Sequence, residues 1–261
     1  EEYLKLVRLK PDDVDIHVLL ASIYSRLGKE EDARREYNKI LDLDPENVSI
    51  IESLASMFYA NGDYERAIDL YHRFLELKSP DADVLTKLGI SSLKTNKIDE
   101  AITHLQGAVS LDEGNLDARY NLALSYYNIK EYNAAVEELQ AILKRDRSYG
   151  LAYFDLGRVF TKAGRIDVAI AQYQKAIELL PDHARAYLNL GIALSKMGKI
   201  NEAFSYYKKA LELAPDDFEV HYNMGLAYAQ LGKIDNAILE YKKAIKLKPS
   251  DAYSYCNLGL A

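Results

Sequence analysis

The Gly-Lys pairs in MGKINEA (residues 197–203) and LGKIDNA (231–237) are the first residues in this chain whose types could do chemistry. A glycine followed by lysine can close a phosphate-binding loop, but that loop also needs a second glycine and a Ser or Thr after the lysine, placed between a strand and a helix. Here Ile200 follows Lys199, no strand pattern precedes, and kindred turns recur as SRLGKEEDA and TKAGRIDVA. The nucleotide reading therefore falls. His17, His72, His104, His183 and His221 include no two spaced to share a metal on one helix face, and Cys256 stands apart from them. Packed or surface histidines are the expectation, with no metal and no cofactor. The acidic pairs Asp12–Asp13, Glu30–Glu31, Glu137–Glu138 and Asp216–Asp217 fall at helix starts or on exposed faces. Carboxylates favour the positive end of a helix dipole, so no catalytic residue emerges. The basic run KKAIKLK (242–248) reads as the end of an amphipathic helix, with Ala244, Ile245 and Leu247 inward and the lysines in water.

What positions these residues is a period. Gly198 and Gly232 lie 34 residues apart, a spacing that signals stacked repeats. Aligned on that length, the chain reads as a single array over 1–261. A partial helix at 1–13 is followed by seven units at 14–47, 48–81, 82–115, 116–149, 150–183, 184–217 and 218–251, and by a partial helix at 252–261. Within a unit, apolar residues recur at helical spacing at positions 4, 7 and 11, then at 17, 20, 24, 27 and 30. That pattern predicts two amphipathic helices, A and B. Position 15 is Gly28, Gly62, Gly164, Gly198 and Gly232, with Asn96 and Lys130 in the third and fourth units. A helix that ends in the left-handed region favours a residue without Cβ there. All six prolines fall at the end of a B helix, where a residue without N–H stops the helix.

Position 8 is always small (Ala21, Ala55, Gly89, Ala123, Gly157, Gly191, Gly225, Gly259), and position 20 is always alanine. Small residues at these two points predict close approach of helices A and B, with Tyr37, Tyr71, Tyr173, Tyr207 and Tyr241 at position 24 filling space toward the next unit.

Composition narrows the function classes. A formal net charge of −7 argues against general nucleic-acid binding. The balance is uneven: residues 1–149 carry 19 basic against 28 acidic side chains, and 150–261 carry 14 against 12. One cysteine excludes an internal disulfide and suits a reducing compartment such as the cytoplasm without fixing one. No apolar run is long enough to span a bilayer, so no membrane insertion is expected. The opening EEYLKLVRLKPDD reads as a helix already under way and suggests a chain cut from something longer.

The pattern resembles the tetratricopeptide repeat (TPR) family, whose unit of about 34 residues carries an early aromatic, a Leu-Gly pair, and later alanine, aromatic and proline signals. YLNLGIAL at 187–194, followed by Ala203, Tyr207, Ala210 and Pro215, carries the resemblance most closely. The departures are Ile40, Phe74 and Ile142 at the usually small position 27, and Glu113 and Arg147 in place of the terminal proline. They leave the local helix crossing open and mark Leu111 to Gly150 as the candidate bend or soft spot. The resemblance implies an all-α, right-handed superhelical solenoid of helix-turn-helix units, acting as a non-catalytic protein-interaction scaffold.

In such a solenoid the A helices line a concave groove, with positions 2, 5, 6, 9, 12 and 13 pointing into it. That assigns a peptide-binding groove to Tyr120, Asn121, Leu124, Phe154, Asp155, Arg158, Lys162, Arg185, Asn189, Ile192, Tyr222, Asn223, Leu226 and Asn257. A carboxamide offers a donor and an acceptor together and can pair with any peptide unit. Packed helices lie about 8–10 Å apart and an extended chain advances about 3.3–3.6 Å per residue, so one Asn could meet about every third ligand residue. Tyr120, Phe154 and Tyr222 would supply apolar shelves, and Arg158, Lys162, Arg185 and Lys196 could receive an anionic peptide end. A similar asparagine ladder serves the TPR-bearing protein glycosyltransferases. Tyr-Asn-Leu at positions 5 to 7 is also common across the family, which leaves a purely structural role open. The Lys and Asn pair of the family's carboxylate clamp, at positions 5 and 9 of one unit, occurs in no unit here. The alternatives are a substrate-targeting arm of a larger enzyme, such as a protein glycosyltransferase, and a self-assembling module. In the second case the A-like end (252–261) of one copy would stack head-to-tail on the B-like end (Glu1 to Lys10) of the next.

Overall fold

The computed structural model describes residues 9–261, so the B-like segment expected at Glu1 to Lys10 lies almost wholly outside the described residues. Fifteen α-helices and no strand occur among the described residues. They are α1 Val14–Arg26, α2 Glu30–Leu43, α3 Val48–Ala60, α4 Tyr64–Leu77, α5 Ala82–Lys94, α6 Ile98–Leu111 and α7 Leu116–Asn128, then α8 Tyr132–Arg145, α9 Gly150–Lys162, α10 Ile166–Leu179, α11 Ala184–Lys196, α12 Ile200–Leu213, α13 Phe218–Gln230, α14 Ile234–Leu247 and α15 Ala252–Leu260. Odd-numbered helices are A helices and even-numbered ones B helices. None is long and apolar enough to cross a membrane.

Contacts divide the chain into two compact units after Ile129, inside the segment singled out by its departures from the repeat. In the first unit α1/α2, α3/α4 and α5/α6 pair as hairpins, and α7 packs on α6. The second unit places α8 against α9, pairs α9/α10, α11/α12 and α13/α14, and ends with α15 on α14.

The helix boundaries follow from local chemistry. Asp13, Asn47, Asp81, Asn115, Asp217 and Asp251 each accept a backbone N–H in the first turn of an A helix, as N-caps do. Tyr149 and His183 hold the same position in α9 and α11 without a side-chain cap. At the other end of the A helices all seven position-15 residues have positive φ, from 63° to 78°. In six of these turns the next N–H reaches back five residues, from Lys29 to Tyr24 O at 2.9 Å through Lys233 to Tyr228 O at 3.0 Å. That is the bond that closes a Schellman cap. Where the terminal proline is replaced, an aspartate turn does the stopping. The Asp112 carboxylate accepts from Gly114 N–H, and that of Asp146 accepts from Ser148 N–H, both at 2.8 Å.

Packing within a repeat centres on position 8. A Cβ built on Gly157, Gly191 or Gly225 would lie 2.5 Å from a ring carbon of Tyr173, Tyr207 or Tyr241 in the same repeat. The tyrosine therefore fills the space left by its own repeat's glycine, which corrects the expectation that it points toward the next unit. Its hydroxyl is then met by position 12, with Thr161 and Ser195 each 3.1 Å from their tyrosines. All seven position-20 alanines are fully buried beneath this contact. Bulk at position 27 is absorbed rather than disruptive: Ile40, Phe74 and Ile142 are fully buried, and each occurs in a repeat whose position 8 is alanine instead of glycine.

Two outcomes are expected. Gly191→Val should cost about 3 kcal/mol by overpacking against Tyr207, whereas Gly259→Ala, at the same repeat position but with nothing within 4 Å, should be neutral or slightly stabilising. Urea melts of both variants check this. Lys130→Gly should raise stability by about 1 kcal/mol, because a residue with Cβ is relieved of a left-handed backbone; a lowered melting midpoint would show that the lysine side chain contributes more than its backbone costs.

Candidate peptide-binding face

Tyr120, Asn121 and Leu124 lie on α7 in the first unit, and the other eleven residues expected in the groove lie on A helices of the second. The two sets belong to separate bodies. On α7, Asn121 donates from Nδ2 to Asp117 O at 2.8 Å, one turn back along its own helix.

In the second unit α9, α11 and α13 stand side by side, since each A helix touches the next as well as its own B helix. Several expected ligand groups are already engaged. Asp155 is 3 % exposed and accepts from Arg158 Nη1 at 2.6 Å, so carboxylate and guanidinium answer each other. The same guanidinium lies 5.9 Å from the Phe154 ring centroid, and the edge of His183 packs on that ring at 4.5 Å. Phe154 is therefore a covered ring rather than an open shelf. Arg185 pairs with Glu219, the residue one repeat further on at the same position, and approaches Asp217 at 3.8 Å. Of the four cations expected to receive an anionic end, Arg158 and Arg185 have partners, while Lys162 and Lys196 are exposed and make no ion pair among the described residues.

The asparagines divide as well. Asn223 donates to Glu219 O at 2.7 Å, and Asn257 donates to Tyr253 O at 3.0 Å and to the Tyr222 hydroxyl at 3.2 Å. Each has turned its N–H toward the carbonyl four residues back, a habit of short polar side chains on helices. Burial raises the Tyr222 phenol above its ordinary range, an effect that the Asn257 bond partly offsets. Asn189 differs: it is half-buried and makes no hydrogen bond among the described residues. One turn along α11 from it begins a recess of about 160 Å³. Ile192 and Lys196 bound it on α11, Asn223, Leu226 and Gln230 on α13, and Ser195 and Tyr207 complete it. Four of the expected residues or their near neighbours thus converge, and the recess is sized for one aliphatic side chain.

Two features went unread in the sequence. His183 sits at the N-terminus of α11 with Nδ1 buried and unbonded, and burial pushes its imidazole below the ordinary 6.5, against a smaller upward pull from Asp155. His72 and His104, in different repeats, bring their rings within 5.6 Å across adjacent B helices. No group of three or more metal-ligating side chains is present among the described residues. At the far end of the second unit, α15 leaves Tyr253, Tyr255 and Leu260 exposed.

Paired helices of constant length, closed by one turn chemistry and packed pair upon pair, define an all-α helix-turn-helix repeat protein, the solenoid class that serves as a protein-interaction scaffold. Comparison with known proteins carries this further. Residues 14–47, 92–156, 152–216 and 206–238 match models described as tetratricopeptide repeat, and 226–261 match one described as TPR repeat. Residues 36–108 match a model described as anaphase-promoting complex, cyclosome, subunit 3. The chain belongs to the tetratricopeptide repeat family. Among solved structures it is similar to the MamA protein at 32% identity, over 66% of this chain and 94% of that one, with a TM-score of 0.59. It is similar to YrrB, a TPR protein with an unusual peptide-binding site, at 23% identity over 71% and 96%, with a TM-score of 0.64. A tetratricopeptide repeat protein from Parabacteroides merdae matches over 95% and 98% at 15% identity, with a TM-score of 0.73. No protein with a curated description matches the chain.

The buried imidazole sets a pH expectation. Because the fold favours neutral His183, the unfolded chain takes up this proton first as pH falls below its ordinary 6.5. The stability tied to the neutral ring is complete above that value and is lost on going below it. Urea midpoints should fall between pH 7.5 and 5.5, and fall less in His183→Phe; equal falls in the two proteins would show that this ring does not carry the effect.

Proposed function

We propose that the chain is a non-catalytic scaffold that binds an extended segment of another protein along the A-helix face of its second unit. The observation that carries this reading is the juxtaposition of the unbonded Asn189 carboxamide with the recess between α11 and α13. An extended ligand would pair one peptide unit with Asn189, where a donor and an acceptor are offered together. It would seat one aliphatic side chain against Ile192 and Leu226 and meet the Asn223 Oδ1 acceptor beyond them. Lys162 and Lys196, exposed and unpaired, would favour a ligand with an acidic flank or a carboxylate end. Likeness in fold to YrrB, itself described as having a peptide-binding site, supports the class of ligand but not its sequence.

Compared with the fourteen-residue groove expected from repeat phase, the proposed contact is shorter. Asp155 pairs with Arg158, and Arg185 with Glu219, and the burial of Asp155 takes its carboxylate out of reach of a ligand.

The test is a peptide selection on the intact chain, followed by calorimetry of the selected peptides on the wild type and on Asn189→Ala combined with Asn223→Ala. Loss of one ligand hydrogen bond and part of a second should weaken binding about tenfold, with helicity by circular dichroism unchanged. Selected peptides that bind both proteins equally would retire the proposal.

A further inference from the structure

Two histidines that sequence spacing keeps apart meet in the fold. His72 is position 25 of α4 and His104 is position 23 of α6, on the B helices of the second and third repeats. Side chains of these two helices reach each other elsewhere too, where Lys97 Nζ donates to Glu65 Oε2 at 2.9 Å. No other junction between repeats places two histidine or cysteine side chains at these positions. The ring centres are 5.6 Å apart and the planes stand at 59°, which is not the arrangement of a stacked pair. It is close to what one shared cation requires. With one nitrogen of each ring about 2.0–2.1 Å from a metal, each ring centre lies about 3.2 Å from it, so the two centres are about 5.2 Å apart at a tetrahedral angle and about 5.5 Å at a trigonal one.

Both rings are uncommitted. Neither makes a hydrogen bond or an ion pair among the described residues. His104 is half-buried, and burial pushes its imidazole below the ordinary 6.5, with the nearby His72 adding to this and Glu100 pulling the other way. The neutral ring is the form that binds a metal. His72 is exposed, and its ring torsion is soft enough to turn a nitrogen toward His104. Charge around the pair favours a cation. Glu100 lies one turn before His104, Asp69 and Glu76 flank His72 on α4, and none of the three forms an ion pair among the described residues. Of the neighbouring cations, Lys97 is held by Glu65 and Arg73 is turned to the Pro45 carbonyl.

We propose that His72 and His104 together bind a divalent cation of the zinc class, which ties the B helices of the second and third repeats and leaves its other coordination positions to water. No third protein ligand is grouped with them among the described residues, so the site is an open one. It takes Zn²⁺, Ni²⁺ or Cu²⁺, for which imidazole is suited, in preference to Mg²⁺ or Ca²⁺, which ask for oxygen. The site lies in the first unit and is independent of the carboxamide face of the second.

The test is calorimetric titration of Zn²⁺ into the intact protein after treatment with a chelator, with the imidazole NMR signals of His72 and His104 followed in parallel. One equivalent should bind, the two rings shifting together, and excess Mg²⁺ should not compete. His72→Gln and His104→Gln should each weaken binding by at least the roughly tenfold that even an outer-shell partner of a metal ligand is worth. Because the ion needs both helices in place, Zn²⁺ should also raise the urea midpoint of the wild type and of neither variant. The other histidines are engaged: His17 with Glu36 and the Pro11 carbonyl, His221 with Glu240, and His183 on the Phe154 ring. Cys256 is exposed on α15, so Cys256→Ser serves as the control and should bind as the wild type does. Affinity unchanged in both glutamine variants, binding lost in Cys256→Ser, displacement of Zn²⁺ by Mg²⁺, or no binding at millimolar Zn²⁺ would each overturn the proposal. So would weak binding of equal strength in all four proteins, the mark of an adventitious ion only.

Discussion

The contact on which the rest of this fold depends is the one between position 8 and position 24 of each repeat. With glycine at position 8 the tyrosine ring, or Leu105 in the third repeat, lies where a Cβ would stand, and the two helices close to a distance that only a hydrogen atom permits. Alanine at position 20 makes the same allowance from the facing helix. Each repeat thereby settles its own hairpin, and neighbours add a second apolar layer through positions such as 21 and 11. Protein interiors tolerate little change in volume, so a change at one of these positions is felt at another. The repeats with alanine at position 8 carry Ile40, Phe74 or Ile142 at position 27, while those with glycine there carry Ala108, Ala176, Ala210 or Ala244. The two positions therefore vary together, and bulk at one goes with bulk at the other.

Much of the fold can be read from the residues because its signals are local. Helical spacing, the proline stops and the position-15 turn depend on backbone sterics within a few residues. Even Asn96 and Lys130, which carry Cβ, were pressed by the period into the left-handed region. The direction of the position-24 tyrosine could not be read the same way, because it depends on which neighbour yields space. Sequence shows Gly157 and Tyr173 as equally small and large whichever repeat the ring faces.

The binding face was legible as a face and less so as a set of available groups. Repeat phase placed Asn189, Ile192, Asn223 and Leu226 on adjacent A helices, and that much is geometry. Availability depends on pairing, and pairing here follows spacings that phase alone does not weigh. Asp155 and Arg158 are three apart on one helix, a distance at which opposite charges meet. Arg185 and Glu219 are one full period apart, so they occupy the same position on neighbouring helices and their charges come together. Asn223 and Asn257 have a carbonyl four residues back that competes with any ligand for their N–H groups. What survives this competition is a smaller contact than the full ladder, with Asn189 as its uncommitted member.

In a repeat protein the consensus residue at each position records what packing asks for, so a departure is informative according to what it leaves behind. Lys130 in a glycine's place adds backbone strain and opens no space, which makes it a stability defect and nothing more. Tyr149 and His183 omit a helix cap, a loss that water or the chain can partly make good. Arg34 is of another kind: it puts a charge at a position that is apolar in the other six repeats, and it settles that charge locally on Glu31 while Leu54 and Phe58 stay buried. Local rules broken at one point while the surroundings keep their form are where recognition sites tend to arise. At Arg34 the surroundings do keep their form, with Phe58 as well covered as Phe160 in a repeat of ordinary pattern, so this departure is a charge that the packing tolerates and not an opening in it.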